Sequence, residues 1–167
     1  YKTEMLHSMI LGLKKVKDDV VISYSDILVS KKVWKIFENV KKTEITLPIK
    51  TNWKEIWKIR HKEIYDDAET LKINKKKYLD EIGQKIKKNK KIDGQFMGLM
   101  FIPKKIVSKI ITIYEKNKLQ KIQTTQFLNF LLSKKILIKC KSTDVFWYEI
   151  DDFIDLKNLK KIENKID

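Results

Sequence analysis

Two acidic stretches hold the residues best suited to chemistry. The first is VVISYSDILVS, residues 20–30. Its β-branched run Val20, Val21 and Ile22 reads as a buried strand that ends in the polar cluster Ser23, Ser25 and Asp26. Ligands of open α/β sheets gather at strand ends, and an acid there can hold a divalent cation against phosphates. In the alternative reading Asp26 only ends the strand or caps a turn. The second stretch is FWYEIDDFIDL, residues 146–156. Alternation around Phe146, Tyr148 and Ile150 puts Trp147, Glu149 and Asp151 on the opposite face of a strand. Two carboxylates at i and i+2 on one face are unfavourable unless a cation or hydrogen-bond donors neutralise them. Helix capping accounts for Asp152 but not for the Glu149 and Asp151 pair, for which divalent-metal binding is the competing reading.

Between these stretches lies TNWKEIWKIR, residues 51–60, where Trp53, Ile56, Trp57 and Arg60 share one helical stripe. The stripe is either core or an aromatic wall for a ligand ring or quaternary ammonium, with Arg60 able to clamp a phosphate. Asp66, Asp67 and Glu69 follow and either face a pocket or hold a loop. No CxxC pair, HExxH, GxxxxGK[ST] or GxSxG motif occurs, and His7 and His61 join no metal-ligand spacing.

The elements that must position these residues read as a layered α/β arrangement. Residues 3–17 have helical periodicity, with Thr3 as a candidate cap, and 31–40 form a second helix. Residues 45–49 are a strand interrupted by Pro48, which places it near an edge or marks a bulge. Residues 74–91 read as a hairpin or an exposed excursion ending in the Lys run 87–91. Residues 92–103 form a strand in which Gly94 and Gly98 mark a bulge or close contact with a ligand. Helices follow over 104–114 and 124–132, then a short strand over 136–139. A last helix starts at Asp152 and runs through Phe153, Leu156, Leu159 and Ile162.

The chain of 167 residues suits one domain, 1–167. Its formal charge is +15, from 37 Lys and Arg against 22 Asp and Glu. The excess is Lys spread along the chain, and Arg60 is the only Arg, whereas sequence readers of nucleic acid lean on bidentate Arg. The charge therefore describes a solvated surface that favours anionic substrates, and nucleic acid is not the expected partner. The single Cys140 excludes an internal disulfide and a cysteine metal cluster and suits a reducing, cytoplasmic compartment. No apolar run is long enough for a membrane span.

In order along the chain, TEMLHSM, ISYSDIL, NWKEIWKIR, DAETLKI, EIGQK, IDGQFMGL and WYEIDD resemble the nucleotidyltransferases that activate phosphocholine, phosphoethanolamine or aminoethylphosphonate with CTP. More broadly, they resemble the sugar-phosphate nucleotidyltransferases. The resemblance implies a Rossmann-like nucleotidyltransferase fold with a mixed sheet. It also implies attack of an acceptor phosphate or phosphonate oxygen on the α-phosphorus of CTP with release of pyrophosphate. It places catalytic Mg²⁺ on Asp26 and Asp151, with Glu149 as the alternate for the second acid, and the nucleotide near Tyr24 and Ser25. Trp53, Trp57, Arg60, Asp67 and Glu69 match positions around the acceptor pocket, where a cationic head group gains from rings and acids.

This sequence departs from the family pattern in three ways. The N-terminal part with its Gly-rich, triphosphate-cradling loop is absent, so the chain alone is expected to be inactive unless that segment is supplied in trans. Glu4 stands where many relatives have Asn, and Lys50 where they commonly have an acid. A sugar-1-phosphate nucleotidyltransferase, or a catalytically inactive domain that binds nucleotide or a partner, are the alternatives.

Overall fold

The computed structural model describes residues 4–65, 67–86 and 91–162. Thr3, Asp66 and most of the Lys run lie outside them. Helix α1 (Met5–Leu13) opens the chain, burying Leu6, Ile10 and Leu13 at amphipathic spacing. β1 (Val20–Ser23), β2 (Ile27–Val29), a 3-10 helix (Lys31–Phe37), β3 (Ile45–Lys50) and α2 (Trp53–Arg60) follow. The chain continues through β4 (Glu69–Ile73), β5 (Leu79–Lys85), β6 (Gln95–Phe96), β7 (Leu99–Ile102) and α3 (Lys104–Lys116). It ends in α4 (Thr124–Ser133), β8 (Ile138–Thr143), β9 (Trp147–Glu149) and α5 (Phe153–Leu159). No described helix is long and apolar enough to cross a membrane.

The organising strand is β3, buried along its whole length. One edge pairs in parallel with β8, from Ile45 opposite Ile138 to Lys50 opposite Thr143. The other edge pairs antiparallel with β6 and β7, and β1 adds beyond β7, which makes a mixed five-stranded sheet. Of the two readings of Pro48, the edge does not hold, and the residue sits instead at an interruption of the antiparallel ladder. Its missing N–H is tolerated because the antiparallel ladder steps from Thr46 opposite Phe101 to Ile49 opposite Phe96 and skips Leu47 and Pro48. That step is the Met97-Gly98 break between β6 and β7. Gly98 has φ +70°, and a Cβ there would lie 3.0 Å from the Tyr24 ring. β1, expected to be buried, is instead an outer strand with alternating exposure. Its β-branched run supplies strand propensity but says nothing about place in the sheet.

Apolar clusters cover both faces of the sheet. Ile45, Leu47, Ile49, Met100 and Ile102 meet α1, α3, α4 and the β4–β5 hairpin on one side. Leu99 joins Trp53, Trp57, Trp147 and Tyr148 on the other. Part of the stretch at 74–91 is thus core rather than an exposed excursion, since Leu79 and Ile82 of β5 are buried. The helix expected over 31–40 is present as the 3-10 helix Lys31–Phe37. Its N-terminal turn is held by Ser30 Oγ, which accepts the Lys32 amide at 3.1 Å. Val33 alone is buried there, and Trp34 is exposed, so little packing favours a longer α-helix. In α5 the apolar residues Phe153 and Leu156 are exposed, and the buried position belongs to Asp155.

Candidate active site

β2 and β9 form an antiparallel ribbon that brings the two acidic stretches together. Ile27 lies opposite Glu149, and the Ile150 amide donates to the Asp26 carbonyl at 2.9 Å. Glu149 and Asp151 open onto a cleft of about 400 Å³, whose wall also includes Tyr24, Trp57, Asp67, Glu69 and Glu4. Asp26 is half-buried and is not part of this wall, and its buried Oδ1 has no hydrogen-bond partner among the described residues. Ser25 is exposed on the connection from β1 to β2.

Arg60 lies beneath the acids with its side chain fully buried. Its Nη1 donates to Glu149 at 3.0 Å and its Nη2 to Asp151. Nε and Nη2 together grip both carboxylate oxygens of Asp155, each at 3.0 Å. The ring faces of Trp57 and Tyr148 flank the guanidinium, 5.6 and 6.0 Å away. Arg60 is thus the donor that makes the pairing of Glu149 and Asp151 tolerable, and its bonds run to carboxylates rather than toward an acceptor phosphate. Burial disfavours the charged guanidinium, but the bond to Asp155 and the fields of Glu149 and Asp151 outweigh it and raise its pKa. One cation among three carboxylates leaves the cluster acidic. Burial, then repulsion by Asp151, push Glu149 up to about 7 even with Arg60 beside it.

The tryptophans divide between core and site. Trp53 is buried edge-on against Trp57, away from the cleft wall. Trp57 stacks on Trp147 with centroids 5.4 Å apart and reaches the cleft, and its buried Nε1 has no hydrogen-bond partner among the described residues. Glu69 accepts from Thr125 Oγ1 at 3.2 Å, and burial raises its pKa. Asp67 lies 3.7 Å from His61 Nε2. Lys50 points away from this cleft, where its Nζ donates to the Asp144 and Val145 carbonyls at 2.7 and 2.6 Å. It is a cap for the turn from β8 to β9, and burial lowers its pKa.

Sequence reasoning missed Thr124 and Thr125 at the start of α4, Gln95, which brackets the Glu69 backbone, and Asp155. These are ordinary polar residues in helix and strand patterns, and only the tertiary contacts bring them to the site.

No family model matches the chain. It is 29% identical over 171 residues to the CTP:phosphoglutamine cytidylyltransferase of Campylobacter jejuni, covering 93% of this chain and 67% of that protein. The inositol-1-phosphate CTP transferase from T. maritima superposes with a TM-score of 0.72 at 16% identity, over 99% of this chain and 65% of that one. For the CTP:phosphocholine cytidylyltransferase from Streptococcus pneumoniae the values are 0.64, 12%, 97% and 64%. The fold is the nucleotidyltransferase fold. The chain spans about two thirds of the length of these relatives.

Within this nucleotidyltransferase fold, the donor set at the ribbon suits a hard cation. Among the described residues no group of three or more His, Cys, Asp or Glu forms a metal cage. Mg²⁺ does not require one, because it binds through one or two carboxylates and completes its shell with water and substrate phosphates. The unpartnered Asp26 oxygen and the acids across the ribbon fit that pattern.

Proposed function

We propose that this chain acts in cytidylyl transfer, joining CTP to a small phosphorylated or phosphonylated acceptor that bears an amine, with release of pyrophosphate. The observation that carries this reading is the ribbon that brings Asp26, with its unpartnered buried oxygen, next to the Glu149–Asp151 turn, whose carboxylates open onto the acidic cleft. In it Asp26 and Asp151 would hold Mg²⁺, with Glu149 as the alternate. When bound, the cation neutralises charge building on the transferring phosphoryl group and the pyrophosphate.

The remaining roles belong to the cleft wall. Tyr24 borders the nucleotide side, next to Gly98. Trp57 offers its unpartnered Nε1–H and an indole surface to the acceptor, while Asp67, Glu69 and Glu4 supply negative potential for an amine. This acidic lining favours amine-bearing acceptors over neutral sugar phosphates, whose hydroxyls would call for mixed donors and acceptors. Similarity to the Campylobacter protein adds phosphoglutamine to phosphocholine, phosphoethanolamine and aminoethylphosphonate as acceptors to test.

The test is pyrophosphate release from CTP and Mg²⁺ with each acceptor, by the chain alone and with a Gly-rich N-terminal segment supplied. Release with one amine-bearing acceptor, lost in Asp26→Ala and Asp151→Ala, is the expected result. Release with sugar 1-phosphates instead, or silence throughout from folded protein, overturns it.

A further inference from the structure

Asp155 is a carboxylate buried under a helix start, with every polar group of the residue engaged. Its Oδ1 accepts from Arg60 Nε and its Oδ2 from Arg60 Nη2, each at 3.0 Å. Oδ2 also accepts the Asp151 amide at 3.0 Å. The Asp155 amide donates to Asp152 Oδ1 at 2.8 Å, and its carbonyl accepts the Tyr148 hydroxyl at 3.0 Å. The residue is 5% exposed and lies outside the cleft wall. Helix capping explains the bond to Asp152 but not why the side chain is turned inward while Phe153 and Leu156 of the same helix face solvent.

We propose that Asp155 is a positioning residue that fixes Arg60 in a bidentate pair and anchors the Asp151 backbone, so that Glu149 and Asp151 stay available to a divalent cation. The inference rests on the metal role given above to Asp26, Asp151 and Glu149. Its physical basis is competition for lone pairs. Arg60 is buried and always charged, and it must find carboxylate acceptors. With Asp155 taking two of its N–H groups in the favoured fork geometry, one contact each is left for Glu149 and Asp151. Without Asp155 the guanidinium turns fully onto those two acids and competes with a cation for their oxygens. The Asp151 amide loses its acceptor at the same time, so the turn that presents this carboxylate loosens.

Mn²⁺ titration followed by the EPR signal of the free ion tests this without requiring turnover. The wild-type chain is compared with Asp155→Asn, Asp155→Glu and the double variant Arg60→Met, Asp155→Asn, with near-UV circular dichroism as the check on folding. Asp155→Asn is expected to bind Mn²⁺ about tenfold more weakly, the usual loss for an outer-shell partner. The double variant, in which the competing cation is gone, is expected to bind Mn²⁺ several-fold more tightly than Asp155→Asn, the remaining deficit being that of the loosened Asp151 turn. A purely structural Asp155 would instead leave the double variant as weak as the single one, which overturns the proposal. Unchanged binding in folded Asp155→Asn overturns it too. If that variant does not fold, Asp155→Glu, whose longer stem cannot keep both the fork and the Asp151 amide bond, must still weaken binding, or the proposal fails. Absence of Mn²⁺ binding by the wild-type chain overturns the metal reading itself and the inference with it, a result distinct from normal wild-type binding with unaffected variants.

Discussion

Asp26 and Glu149 lie on the two strands of one ribbon, one position out of register, and their electrostatic circumstances differ. Asp26 buries an oxygen that has no partner, so its carboxylate contributes little to the fold. Asp26→Asn should therefore leave the melting temperature unchanged or raise it, by no more than about 1 kcal/mol of stability, while weakening Mn²⁺ binding. Loss of the fold in this variant would show that Asp26 has a structural partner. For Glu149, burial and Asp151 raise the ionisation from 4.5 to about 7. Between those values the folded chain keeps a proton that the unfolded chain has released. The stability supplied by this group is thus fully present below 4.5 and declines as pH rises, until it is lost above about 7. With chelator present, Glu149→Gln should be more stable than wild type by about 2 kcal/mol near pH 8, a gain that shrinks toward about pH 5. Thermal melts across that range would show it, and a pH-independent difference would contradict it.

At the scale of elements, backbone requirements give two glycines opposite roles. Gly12 lies in α1 with nothing within 4 Å of a Cβ built there, whereas Gly98 has φ +70° and would meet the Tyr24 ring at 3.0 Å. Gly12→Ala should stabilise the chain by about 0.5–1 kcal/mol through helix propensity. Gly98→Ala should destabilise it by about 1–3 kcal/mol and displace Tyr24 from the cleft wall. Urea titrations of the two variants check the opposite signs. Gly98 also permits the break between β6 and β7, the same break that lets Pro48 sit in a central strand. Local pattern marked each residue as an interruption of its strand, but not that the two interruptions meet, because that depends on which strands pair.

For the molecule as a whole, the charge of +15 acts against compactness. The Arg60 cluster is buried, but much of the lysine excess faces solvent, where salt screens repulsion effectively. Raising NaCl from about 10 to about 300 mM should lift the melting temperature by a few degrees in the absence of nucleotide. A fall would mean that surface pairs such as Lys42 with Asp19 outweigh the repulsion.

The sequence by itself determined the local matters. Periodicity identified the shared stripe Trp53, Ile56, Trp57 and Arg60 of α2, the helices α3 and α4, and two acidic stretches at strand ends, but it did not decide whether the stripe is buried. This works because the side-chain periods of helices and strands tell which residues share a face. Tertiary structure alone decided that β3 is central, that β1 is an outer strand, and that Arg60 meets Glu149, Asp151 and Asp155. It also decided that α5 turns an aspartate inward and leaves its apolar residues outside. Strand order and ion-pair partners are set by pairing between residues far apart in the chain. A buried charge goes where a counter-charge already lies, and no local pattern records where that is.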